Sequence, residues 1–215
     1  LLRSESVIEG YVDDPEATAG SFRDGWLCTG DAGYLEPDAN LVVLGRVSEV
    51  VRTASGERFI PNFIENRIKF SSFVRNVAVI GACRDELTAI VCIDYEAVGH
   101  WAERRAITYG SYAELSQRPQ VLDLIAGVIA RVNETQPEGL RVRRFVNLHK
   151  DFDADDGEIT RTRKLRRGVI EKSYAKLIDA LYSGATSVTF DATIAYEDGK
   201  HGVLSRELQI REGNA

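Results

Sequence analysis

The sequence predicts an α+β fold built on a short, mainly antiparallel sheet with flanking helices. Two apolar runs, 77–80 and 87–93, are too short for helices, and the polar Arg84-Asp85-Glu86 between them turns the chain. They read as a buried antiparallel pair. Residues 119–134 place Val121, Ile125, Val128 and Val132, with Leu122 and Ile129, in a stripe of helical period.

The first 45 residues read as β-rich. Asp14 and Pro15 suit the cap and first turn of a short helix. Asp24-Gly25 is a turn, residues 26–28 a short strand, and 32–35 and 41–44 a hairpin around 36–40. This piece has too few elements for a core of its own.

Past Arg46 a β-branched run at 50–53 turns at Ser55-Gly56 and returns through 58–60. Pro61 opens a helix, since its fixed φ suits a first turn and its missing N–H costs nothing there. Ile60, Ile64 and Ile68, with Phe63, mark one face of it. After the paired strands come helices near 95–105 and 119–134, then a third strand at 143–148. An acidic loop at 151–158 leads to one last long helix, in which Leu165, Val169, Ile170, Tyr174, Leu177, Ile178 and Leu181 keep helical spacing. The runs 188–196 and 203–210, joined at 197–200, read as an added hairpin. The predicted division is therefore 1–45, 46–185 and 186–215.

Composition narrows the function. With 44% hydrophobic and 28% charged residues the chain is an ordinary globular sequence. A net charge of −6 and a pI near 5.2 argue against nucleic acid as a partner. No apolar run approaches the roughly 18 residues of a membrane span, and no signal peptide is visible; peripheral contact with a membrane surface stays open. Cys28, Cys83 and Cys92 lack the spacing of a zinc site or a disulfide framework and read as buried thiols of a reducing cytoplasm. The chain opens at Leu1 and has no Met, so it reads as an excerpt from a longer protein.

Taken singly, the candidate site residues are ambiguous. In Thr29-Gly30-Asp31 the glycine lets the backbone approach a ligand and the carboxylate can accept both hydroxyls of a ribose, but an Asx turn is the commoner use. Arg46, at a strand end, can donate to ribose or phosphate or form a surface ion pair. Lys164 lies among Arg161, Arg163, Arg166 and Arg167 on the approach to the last helix, where clustered cations oppose the helix dipole; a solvated basic face, or a weak nucleic-acid patch, is the commoner explanation. Asp151, Asp153 and Asp155 suggest calcium, but Asp156 and Thr162 stand where an EF-hand loop needs Gly and Glu, so no metal site is predicted. His100 and His149 have no partner at ligand spacing and read as structural.

Together the strand, polar joint, hairpin and helix of 41–65, with Thr29-Gly30-Asp31 upstream and the lysine of 160–167 downstream, resemble the acyl-adenylate-forming enzymes: acyl-CoA synthetases, luciferases and peptide-synthetase adenylation domains. The resemblance covers about 10–183. It implies a remnant of the large N-terminal domain, then the small C-terminal lid domain of that fold, then a β-hairpin extension. It gives Asp31 and Arg46 to the ribose, Lys164 to the substrate carboxylate and α-phosphate, and Ser48 to the hinge, where Asp or Lys is more usual. Gly56 and Arg58 fall near a CoA-binding position. The basic stretch and Ser55-Gly56-Glu57 resemble the long-chain and bacterial fatty-acid forms.

The implied function is that of the catalytic lid of an ATP-dependent acyl-CoA synthetase, an acid–thiol ligase of fatty-acid metabolism. It would use ATP with Mg2+ and CoA in the full-length enzyme, with its own large N-terminal domain and a fatty acid as partners. The phosphate loop and acyl pocket are missing from this stretch, so the fragment alone is expected to bind no cofactor and to be inactive. The alternatives are the lid of a peptide-synthetase or acyl-carrier-protein ligase, and a stand-alone interaction module.

Overall fold

The computed structural model describes residues 1–195 and 201–213, with 191–195 and 201–204 described by their backbone alone. The chain divides into two compact units, Leu1–Val50 and Val51–Ala215. The expected turn at 197–200 lies outside the described residues.

In the first unit, helix α1 (Pro15–Ser21) is capped by Asp14, whose carboxylate accepts from the Ala17 N–H at 2.8 Å. Strands β1 (Phe22–Arg23) and β2 (Trp26–Leu27) flank Asp24-Gly25, where both residues take positive φ, 51° and 79°. Strands β3 (Asp31–Leu35) and β4 (Leu41–Arg46) form the expected antiparallel hairpin, with a bulge at Ala32/Gly33. A side chain at Gly33 would stand 2.4 Å from the Val42 carbonyl oxygen, so only glycine fits. No residue of this unit is buried, which matches the expectation that it has no core of its own.

In the second unit, β5 (Val51–Arg52) and β6 (Arg58–Phe59) form a short hairpin, and Pro61 opens α2 (Pro61–Lys69) as its sequence requires. Strands β7 (Val74–Ile80) and β8 (Leu87–Ile93) pair antiparallel. They lead to α3 (Tyr95–Glu103), α4 (Tyr112–Gln117) and α5 (Pro119–Asn133). Strand β9 (Val142–Asn147) then runs parallel to β8. A long loop precedes α6 (Arg167–Ser173) and α7 (Ala175–Tyr182), and β10 (Ser187–Ala195) and β11 (His201–Glu212) follow.

The tail does more than add a hairpin. Strand β11 pairs antiparallel with β9, giving a five-stranded sheet in the order β10-β11-β9-β8-β7. Alternation along its strands feeds two cores. Val77, Val79, Ala89, Val91 and Phe145 meet α2, α3, α4 and α5 on one face; Ala78, Ile80, Ile90, Cys92 and Val146 meet α6, α7 and the buried Val188, Leu208 and Ile210 on the other. Every residue of β8 is buried, as its unbroken apolar run requires. Among the described residues no helix is long and apolar enough to cross a membrane.

Three expectations need correction. Of the three thiols Cys92 is buried, but Cys28 is half-buried and Cys83 is exposed on a turn where its φ is 57°. The last helix is broken at Tyr174, whose φ of −107° and ψ of 21° end α6 before α7 begins. Lys164 and the basic residues before it do not open a helix; they occupy a tight turn, and α6 starts only at Arg167. Short α4 was not visible as a separate helix in the apolar pattern.

Candidate functional site

Hairpin register brings two of the sequence-marked residues together in the first unit. Asp31 and Arg46 stand directly opposite each other in β3 and β4, although a five-residue loop and two strands separate them along the chain. The Arg46 guanidinium lies 3.2 Å from the Asp31 carboxylate and also donates to the Thr29 carbonyl at 2.9 Å. Gly30 between them has φ 74°, and its carbonyl accepts from the Val47 N–H at 2.8 Å. The result is a carboxylate and a guanidinium, both solvent-facing, aimed from one strand end. Acceptor oxygens and a planar donor fork suit a diol or a phosphate ester.

Ser48 follows in a single 3-10 turn, Val47–Glu49, closed by the Val50 N–H donating to the Val47 carbonyl at 3.1 Å. It is exposed and lies three residues from the boundary between the two units.

Gly56 and Arg58 belong to the β5–β6 hairpin. Gly56 takes φ 90°, a conformation that favours glycine, and donates to the Thr53 carbonyl at 3.0 Å. Thr53 is itself buried, and its hydroxyl accepts from the Glu57 N–H at 3.1 Å. Arg58 is exposed beside this fixed turn, while Phe59 anchors the hairpin in the first core.

Lys164 ends a turn that begins at Thr160. The Thr160 N–H donates to the Lys164 carbonyl at 2.8 Å, and the Lys164 N–H to the Thr160 hydroxyl at 3.0 Å. Arg163 takes φ 61° at the tip, and Ile159 and Leu165 pair as a short antiparallel bridge beneath it. The Lys164 side chain is exposed, and among the described residues no hydrogen bond or ion pair engages its ammonium. A pinned backbone thus presents an unengaged cation.

Two buried carboxylates that sequence reasoning passed over brace this turn. Glu158, 3% exposed, accepts from the Tyr174 hydroxyl, from Lys150 Nζ at 3.0 Å and from the Asp153 N–H at 2.9 Å. Burial pulls the Lys150 pKa down, but hydrogen bonds to Asp156 and Glu158 outweigh it and hold that pKa above its ordinary value. Burial and the same Glu158 contact push the Tyr174 phenol up. Glu65, 2% exposed in α2, receives both arms of Arg167, at 2.8 and 2.6 Å, and the Val79 N–H at 2.8 Å.

The acidic loop has no calcium geometry: Asp151 accepts from the Asn76 amide at 2.7 Å, and Asp153 from the Asp155 N–H at 2.8 Å. Among the described residues no group of three His, Cys, Asp or Glu is placed to hold a metal ion. His100 is exposed; His149 is buried and tilted against Phe190 at 5.6 Å, and among the described residues neither of its ring nitrogens finds a hydrogen-bond partner. Burial, with Lys150 next to it, lowers its pKa to about 4.

Comparison with known proteins gives a consistent answer. The family described as AMP-binding enzyme C-terminal domain matches residues 48–186. The long-chain-fatty-acid–CoA ligase FadD15 of Mycobacterium tuberculosis is 32% identical over 184 residues, covering 85% of this chain and 31% of that protein. Human long-chain-fatty-acid–CoA ligase 1 is 33% identical over 188 residues, with 85% and 26% covered. The chain therefore spans about three-tenths of the length of these relatives. Among solved structures, the adenylation domain of a carboxylate reductase from Mycobacterium chelonae matches with a TM-score of 0.56 and 27% identity, over 84% of this chain and 27% of that one.

Proposed function

Because the chain belongs to the AMP-binding enzyme C-terminal domain family, we propose that it is the catalytic lid of an ATP-dependent acyl-CoA synthetase acting on a fatty acid. The observation that carries this reading is Lys164, whose exposed ammonium meets no partner among the described residues, on a turn whose backbone is fixed on both sides. The reaction class is supported by relatives named as long-chain-fatty-acid–CoA ligases at 32% and 33% identity.

In the first half-reaction a carboxylate oxygen attacks the α-phosphorus of ATP, brought with Mg2+; the bridge to the β-phosphate breaks and pyrophosphate leaves. The reacting acid and phosphate are both anionic, so alignment and charge neutralisation supply most of the catalysis. Lys164 neutralises that pair of anions. Asp31 accepts from the ribose hydroxyls, and Arg46 both holds Asp31 and donates to the nucleotide. In the second half-reaction the CoA thiol attacks the acyl carbonyl, the carbon–sulfur bond forms and AMP departs with the electron pair. Ser48 is the pivot between the two conformers, and Gly56 and Arg58 serve the CoA phosphates.

The large N-terminal domain, carrying the phosphate loop and acyl pocket, is the obligate partner, and residues 1–45 are its last strands. The piece alone is inactive on this reading. The cytoplasm is the proposed location, supported by three cysteines without a disulfide. A second reading, a carrier-protein thiol in place of CoA, stands beside it, because the joint at 41–65 resembles peptide-synthetase adenylation domains as well.

Acid-dependent ATP–pyrophosphate exchange by the full-length protein, over acids of rising chain length, tests the proposal. Thioester formation is then followed with CoA and with a phosphopantetheinylated carrier as acceptors. Exchange with long-chain acids and transfer to CoA is the expected result; absence of exchange with every acid contradicts it.

A further inference from the structure

Glu65 lies on α2 against β7, which is an edge strand of the sheet. An edge strand presents unpaired N–H and C=O groups. At Val79 both find side-chain partners: the N–H donates to Glu65 at 2.8 Å, and the carbonyl lies 3.4 Å from an Arg167 nitrogen. Glu65 and Arg167 close the square with two parallel bonds of 2.8 and 2.6 Å, the geometry in which a guanidinium and a carboxylate bind most strongly. The Glu65 side chain is 2% exposed and that of Arg167 34%.

Arg167 is three residues past Lys164, so its backbone lies within roughly 11 Å of the lysine backbone. The other end of the turn is held independently, since the Arg166 N–H donates to the Glu158 carbonyl at 2.8 Å and the buried Glu158 carboxylate binds Tyr174. The Ile159–Leu165 bridge closes the base. Ile159 and Leu165 are thus packed on the core and Arg167 is tied to it through Glu65, while residues 161–164 between them are exposed.

We propose that Glu65 is a positioning residue for Lys164: through its fork to Arg167 it fixes the Lys164 turn on the edge of the sheet, and so sets where the ammonium stands during adenylation. This rests on the reading of Lys164 as the adenylating lysine. Glu65 touches no substrate and acts through Arg167 alone.

The test is a double-mutant cycle on the full-length protein, read separately in acyl-adenylate formation and in CoA attack on a supplied acyl-adenylate. Glu65→Gln keeps the size of the side chain but removes the charge of the fork. It is expected to lower adenylation at least about tenfold, as small misplacements of a catalytic group do, and to leave CoA attack within about threefold. On a Lys164→Ala background Glu65→Gln is expected to add less than about twofold, because the group it positions is gone. Arg167→Lys, which keeps the cation and loses the fork, gives the same comparison should Glu65→Gln fold poorly. Equal factors in both backgrounds, equal loss in both half-reactions, or no effect of either substitution overturns the inference while leaving Lys164 in its role. If Lys164→Ala alone leaves adenylation unchanged, the reading of Lys164 fails, and the inference with it, before Glu65 is touched.

Discussion

Asn133, the last residue of α5, binds Gly213 just past the end of β11. Its amide nitrogen donates to the Gly213 carbonyl at 2.7 Å and to the Val142 carbonyl at 2.9 Å, and its oxygen accepts from the Val142 N–H at 2.9 Å. One buried amide thus ties a helix end to β9 and to the chain after β11.

Replacing Asn133 with Ala strips three backbone groups of their partner in a site that is 1% exposed. At a desolvation cost of about 1–3 kcal/mol for each group left without water, a loss of at least about 3 kcal/mol is expected. Urea unfolding of the fragment 51–213 reads it. Deleting 187–213 is expected to destabilise more, since it uncovers the core around Leu208 and Ile210. A fragment ending at 186 with unchanged stability would show that the two last strands are an appendage.

His149 gives the same fragment a pH signature. Its pKa is about 4 in the fold against 6.5 unperturbed, chiefly through burial and then through Lys150. A base with a lowered folded pKa makes the unfolded chain the better proton binder, so stability is full above pH 6.5 and falls as pH drops from 6.5 toward 4. Allowing for solvent screening, about 1–2 kcal/mol is at stake. His149→Phe, which keeps a ring against Phe190, is expected to flatten the pH dependence of the urea midpoint between those limits. An unchanged slope would put the titration elsewhere.

Ser48→Pro tests the pivot. Ser48 holds the second place of the turn closed by Val47 and Val50, a position that accommodates proline, so the substitution locks this backbone without breaking the turn. Pyrophosphate exchange is expected to stay within about tenfold of wild type while thioester formation falls much further. Ser48→Ala, which leaves the backbone free, is expected to alter neither strongly. Both half-reactions surviving proline would place the pivot at Val47 or Glu49.

Much of this was legible in the residues, because local chemistry and tertiary structure agree there. Pro61 and the Ile60, Ile64, Ile68 face wrote α2; the unbroken apolar run of β8 wrote a strand covered on both faces; the hairpin around 36–40 was legible too, but the bulge at Ala32/Gly33 that sets Asp31 opposite Arg46 was not. Helix α4 also left a mark: Ser111 and Glu114 are a capping pair, and the Glu114 N–H does donate to the Ser111 hydroxyl at 3.2 Å. The apolar stripes on either side drew attention away from it.

What stayed hidden depends on partners far along the chain. Tyr174 fits a helical stripe, yet it sits where the helix breaks and its hydroxyl meets Glu158. Glu65 sits beside Ile64 at the margin of an apolar face, where a solvated carboxylate is the ordinary expectation. Its partner is 102 residues away. No local pattern announces an ion pair of that reach.

The measurement that bears most directly on this account is the separation of half-reactions in the full-length protein carrying Lys164→Ala. Removing one preorganised donor to a developing charge costs on the order of 10²–10³ in rate, so acyl-adenylate formation is expected to fall by at least about 10². CoA attack on a supplied acyl-adenylate is expected to change much less, because in the proposed mechanism the lysine serves only the first step. Equal loss in both half-reactions, or none in the first, would contradict the account and leave Lys164 a surface residue on a well-braced turn.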